Sequence, residues 1–223
     1  MIHPLAVRSF PALLLVLLTG CGLSDYEGRM SSARALLQQR DEEAKYLGNP
    51  VEMPKLPLRE GKEQPSWAIF LRLPKEAGDK PVPQANLYRE MFADYQIGKG
   101  DLVNVYLGLA TDQKEFVKEV LQLFPPVGDV RTENVSLHNS ERQITLSRST
   151  LDDNSQTTLS INFLQQGKTQ VVVVFRVKRG GFAPKNGKPN ELSKAVDLSL
   201  LSLGVDTEAL KLRADFDKFH KKG

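Results

Sequence analysis

Three runs with the look of strands, Arg142 to Ser149, Thr157 to Leu164 and Thr169 to Lys178, follow one another at short spacing. Asp152-Asp153-Asn154 and Gln165-Gln166-Gly167-Lys168 stand between them. Those are turn residues, and strands joined by such short loops pair antiparallel. The spacing therefore predicts a β-meander. In the middle run Leu159, Ile161 and Phe163 alternate with Ser160 and Asn162, which predicts one wet side. Val171 to Val174 is apolar at every position, so the third run is expected at the centre of the sheet with a cover on its second face.

Period two returns upstream, at Trp67, Ile69, Leu71 and Leu73 and again at Val103, Val105, Leu107 and Leu109. After Leu109, Thr111 or Asp112 is placed to cap a helix through about Phe124, with Phe116, Val120, Leu121 and Phe124 on one side. Pro125-Pro126 closes it. Tyr88, Met91, Phe92 and Tyr95 have helical spacing, so Gln84 to Tyr95 reads as a short helix. A Gly- and Pro-rich loop covers Arg179 to Asn190, and Val196, Leu198 and Leu200 beyond it fit either strand or helix. A last helix capped by Asp206 carries Val205, Ala209, Leu212, Phe216 and Phe219 and is expected to pack onto the sheet, with Lys221 and Lys222 at its end. Residues 66–223 thus predict an α+β domain: a mainly antiparallel β-sheet with helices packed on one face.

The N-terminal residues are built differently. Arg8 supplies a positive start, and Ala12 to Leu18 run without a polar side-chain atom, as in a secretory signal. Counted from Ser9 the apolar centre is about ten residues long, half of the roughly twenty that cross a bilayer as a helix. Directly after it stands Leu18-Thr19-Gly20-Cys21. In this segment alone the chain resembles the bacterial lipoproteins, whose pattern is an aliphatic residue, a small residue, Gly or Ala, then Cys. The resemblance implies cleavage between Gly20 and Cys21, a diacylglyceryl thioether and an N-acyl chain on Cys21, and residence on a membrane. It leaves no role for this thiol in catalysis. Gly22, where an Asp would favour the inner membrane, points by the same resemblance to the outer membrane facing the periplasm. Cys21 is the chain's one cysteine, so no internal disulfide is available to an exported chain, and lipidation removes a stray thiol.

After residues 1–20, the segment 21–48 opens with Ser24-Asp25-Tyr26-Glu27, which has the form of a capping box. Tyr26, Met30, Ala33, Leu37, Ala44 and Leu47 then recur at steps of four and three, with Arg40 breaking the seam. That stripe suits packing on the chain's own domain or a short coiled-coil contact. Gly48-Asn49-Pro50 ends the helix. Residues 49–65, with Pro50, Pro54, Pro57 and Pro65, read as an extended spacer or as a strap across the sheet.

Chemistry is sparse. His138 lies in a polar segment and His220 at the chain's end; His138 and Glu141 have a metal-compatible spacing only on a helix, and no third ligand is suggested. No Gly-x-Ser-x-Gly elbow is present, Gly98-Lys99-Gly100 lacks phosphate-loop spacing, and Asp152-Asp153-Asn154 lacks the alternation of a calcium loop. Glu115 and Glu119 fit a solvated helix face, and the sequon Asn134-Val135-Ser136 has little weight in a bacterial chain. No metal or other cofactor is expected beyond the lipid.

One charge pattern stands out. Between Asp153 and Glu191 there is no acid, while Lys168, Arg176, Lys178, Arg179, Lys185 and Lys188 are basic. Such residues protect a strand edge from pairing, or Arg176, Lys178, Arg179, Lys185 and Lys188 face anionic headgroups, an acidic envelope polymer or an envelope protein. A net charge of +3 with 26% charged residues does not point to nucleic acid. The expectation is a membrane-anchored envelope lipoprotein acting as a non-enzymatic binding or structural module. The competing expectation is a lipid-anchored hydrolase or a carrier of small apolar ligands, which needs an apolar cleft between sheet and helix.

Overall fold

A computed structural model describes residues 11–51, 68–82, 91–96, 100–166, 169–184, 187 and 190–220, with side chains from residue 25 onward except at 91–93, 96, 166 and 169. The chain divides into two compact units, Met1–Glu42 and Glu43–Gly223. Helix α1 (Pro11–Tyr46) accounts for the described part of the first. It runs without interruption through Cys21 and Ser24, so in the uncut chain Ser24 to Glu27 sit inside a helix and not at its start. The helix stops at Tyr46, just ahead of Gly48-Asn49-Pro50.

The second unit begins before the Pro-rich stretch. Strand β1 (Leu47–Pro50) pairs antiparallel with β3 (Arg72–Pro74), and Val51 N donates to Leu71 O at 2.8 Å. Thus residues 49–51 belong to the globular unit, and most of the expected spacer, like Trp67, lies outside the described residues. A second small sheet joins β2 (Ile69–Phe70) to β10 (Gly204–Val205).

The main sheet has six antiparallel strands. They are β4 (Met91–Gln96), β5 (Leu102–Ala110), β6 (Arg131–His138), β7 (Gln143–Asp152), β8 (Thr157–Gln166) and β9 (Thr169–Lys178), in the order β4-β5-β9-β8-β7-β6. The meander is present as β7, β8 and β9, and β9 lies inside the sheet with Val171 to Phe175 buried on both faces. Two expectations are corrected. Met91 to Tyr95 is strand, not helix: its aromatic spacing mimics a helical stripe, but Tyr95 and Asp94 alternate across a sheet and pair with Val105 and Tyr106. Ser160 and Asn162, expected on a wet side, are buried, and Arg131 to His138, for which the sequence predicts no element, is an edge strand.

The α+β class is the one expected, and packing adds a layer to it. On one face Val171, Val173, Phe175 and Val177 meet Leu71, Leu73 and α3 (Glu191–Leu201) through Val196 and Leu200. On the other, Val172, Val174, Ile161 and Phe163 meet α2 (Gln113–Leu123) through Phe116 and Val120. Phe116 stands edge-on to Phe163, ring centroids 5.6 Å apart. Burying each such side chain contributes about 1.5–3 kcal/mol. Asp112 caps α2, accepting from the amides of Lys114 and Glu115, and Asn190 caps α3 through the amide of Leu192. This settles Val196, Leu198 and Leu200 as helix. Helix α4 (Thr207–His220) follows Asp206 and packs chiefly on β2 and β10, not on the six-stranded sheet.

Candidate functional site

Polar side chains converge where β9 ends, on the face that carries α2. Asp153 lies between β7 and β8 and is only 1% exposed. Its carboxylate accepts from the amides of Ser155 (3.0 Å) and Thr157 (2.8 Å), from Thr157 Oγ1 (2.8 Å) and from Arg176 Nη2 (3.4 Å). Arg176 Nε also donates to Thr157 Oγ1 at 2.9 Å, and its guanidinium lies 4.9 Å from the Phe124 ring centroid. On the neighbouring strands Asn104 Nδ2 donates to the buried Asp94 at 2.9 Å, and Asp94 is paired across β4 and β5 with Tyr106. Burial first, and Asp94 second, push the Tyr106 phenol above its ordinary value, while Arg176 opposes them. A buried carboxylate held by this many donors is a fixed structural charge.

The basic run is therefore split. Arg176 is turned inward onto Asp153, and Arg179 Nη2 donates to Asp153 O at 2.6 Å with Asp152 3.9 Å from its Nε. Lys178 is exposed. Lys168 has a described backbone neither before nor at its own position, and Lys185 and Lys188 likewise lie outside the described residues. The structure thus brings Arg176 and Arg179 to two aspartates that the sequence places more than twenty positions upstream. Only the strand register shows this: Thr157 pairs with Lys178, which folds the Asp152-Asp153 turn back beside the end of β9.

A second cluster lies on the opposite face. Ser160 and Asn162, expected on a wet side, are buried at 3% and 1% exposure. Asn162 Nδ2 donates to Ser160 O and Val173 O, its Oδ1 accepts from Arg148 Nε at 2.8 Å, and Arg148 Nη2 reaches Asp197 of α3 at 2.7 Å. Burial of these polar groups is offset by hydrogen bonds. Arg142 makes a similar tie, donating to Leu201 O at 2.5 Å and meeting Glu208 at 2.9 Å.

Gly20 and Cys21 lie within α1, with their side-chain surroundings outside the described residues. His138 ends β6, with Glu141 in the following turn, and His220 stacks on Phe216 at 3.8 Å. Among the described residues, no three His, Cys, Asp or Glu side chains gather as a metal set, and no helix is long and apolar enough to cross a membrane. No family model matches this chain. No curated protein matches it either.

Proposed function

We propose that this chain is a bacterial lipoprotein, cut before Cys21, acylated there with diacylglycerol and an N-acyl chain, and held on the periplasmic face of the outer membrane as a non-enzymatic binding or structural module. One observation carries the reading: Leu18-Thr19-Gly20-Cys21 directly follows an apolar run and contains the chain's one cysteine. Each buried methylene contributes about 0.8 kcal/mol, so two or three acyl chains hold a protein firmly to a bilayer. Support for a binding role over catalysis comes from the two polar clusters, in which buried Asp153 and Asn162 and half-buried Arg148 are committed to neighbouring side chains and backbone groups. The space between sheet and α2, where a carrier would hold its ligand, is filled by Phe116, Val120 and Phe163.

The partner proposed is an envelope protein or an anionic envelope polymer, met by Lys178 with Lys185 and Lys188. Arg176 and Arg179 contribute less because Asp153 and Asp152 offset their charge. The test of the anchor is Cys21→Ser in a bacterial host fed labelled palmitate. Loss of label and release from the membrane fraction are expected; retained label or unchanged fractionation overturns the reading.

A further inference from the structure

The main sheet ends on two unlike margins. At β4, Val82 N donates to Asp94 O at 2.7 Å, so part of that edge is already bonded. At the other end β6 pairs with β7 at all eight positions, from Arg131 with Thr150 to His138 with Gln143, without a register shift. Val135 and Leu137 are half-buried against the core and the other six residues are exposed. Native edges are commonly blunted by Pro, Lys, a bulge or shortness. β6 has no Pro, no Lys and no bulge, and it is long.

The direction of its amides follows from the turn. Asn139 N donates to Arg142 O at 2.8 Å, which makes that pair a hydrogen-bonded one. Bonded and non-bonded pairs alternate along an antiparallel ladder. Leu137, Val135, Glu133 and Arg131 therefore direct their N–H and C=O groups to β7, while Thr132, Asn134, Ser136 and His138 direct theirs outward. Arg131 and Glu133 lie two apart and share one face of the strand.

We propose that the first residues of β6, Arg131 to Glu133, are the contact with a second copy of this chain, paired antiparallel about a twofold axis at Thr132. In that register the outward groups of Thr132 bond to those of the partner's Thr132, and Arg131 stands opposite the partner's Glu133 on each side of the axis. Centring the axis on Glu133 opposes two like charges, which destabilises a cross-strand pair. Centring it on Asn134 or Val135 sets Glu133 against an aliphatic side chain. The two charges that keep β6 from pairing with arbitrary strands are thus satisfied by a copy of itself, an isologous contact.

One strand pair falls short of the roughly 1,000 Å² that a free-standing interface requires. Association is weak in dilute solution and grows where copies are concentrated, which the membrane anchor proposed above would do. The pairing itself does not rest on the anchor.

The test is Thr132→Cys in the full chain, oxidised in cells. Opposed bonded residues have Cα atoms about 5.5 Å apart, within disulfide reach. A covalent dimer is expected, several-fold more abundant than from Asn134→Cys or His138→Cys. Adding Glu133→Arg lowers the yield roughly fivefold, and adding Arg131→Glu as well restores it. Restoration separates lost pairing from lost folding. No dimer above the wild-type chain, equal yields at the three positions, or indifference to charge reversal overturns the proposal. The wild-type chain also separates the two readings: dimers through Cys21 itself would count against the lipid while leaving the β6 comparison intact.

Discussion

The Arg72 guanidinium donates through Nε to the carbonyl of Gly48 at 3.0 Å, binding strand β3 to the residue that follows α1 by two positions. The same side chain reaches Leu47 O and Glu43 at 3.4 Å each and lies 5.1 Å from the Phe216 ring centroid, while its own amide donates to Ser202 Oγ at 2.8 Å. Burial pulls the guanidinium below its usual value, and Glu43 opposes that pull. Arg72→Ala removes the donor and leaves two carbonyls and a half-shielded carboxylate behind. The expected loss is about 3 kcal/mol in a urea melt. Arg72→Lys restores little, because one ammonium does not span the three acceptors. A rescue by Lys to near wild-type stability would show that charge alone matters there.

Arg148 and Asn162 are expected to act as one unit. Asn162→Ala leaves Arg148 Nε without its acceptor in a half-buried site, at a cost of about 1–2 kcal/mol. The Arg148→Met, Asn162→Ala double variant should cost less than the sum of the single variants by about 1 kcal/mol or more. Simple additivity in a double-mutant cycle of unfolding free energies would show the two to be independent.

Tyr106 predicts an alkaline limit. Its phenol resists ionisation in the folded state, while the unfolded chain ionises near the ordinary value of 10.0. Above that pH the unfolded state binds fewer protons than the native state, so stability falls as pH rises through it and is untouched below it. Tyr106→Phe removes this dependence. Urea midpoints at about pH 8 and about pH 11 measure it, and the variant should lose less between the two than the wild-type chain does.

Gln156 holds φ 57° in the turn between β7 and β8, a left-handed conformation that costs a residue with a Cβ roughly 1–2 kcal/mol. Gln156→Gly relieves that cost while giving the unfolded chain more freedom, so the net gain is about 0.5–1 kcal/mol. The backbone carbonyl that accepts from Arg179 N at 2.8 Å is kept. A rise of a few degrees in melting temperature checks it.

What the residues revealed and what they concealed have separate physical causes. β7, β8 and β9 are legible because alternation and turn residues coincide, and α2 because Asp112 and Pro125 mark both ends. β6 was invisible because a margin strand buries little: Val135 and Leu137 are its only inward apolar residues. Ser160 and Asn162 suggested water because polarity normally marks a surface, yet Arg148, itself bonded to Asp197, donates to Asn162, and Asn162 donates to Ser160. The same holds for Arg176, whose partner Asp153 is brought near by register alone. The proposed lipid site at Cys21 rests on a short local motif, whereas the two clusters exist only once the sheet has formed.

The place of β9 has a kinetic meaning. Leu109 pairs with Val171 and Asn104 with Arg176, so β4 and β5 find no central neighbour until the whole meander has been made. Closing so long a loop before any contact rewards it slows folding. A chain made amino end first would hold the β4–β5 hairpin without its central neighbour until about four fifths of its length were available.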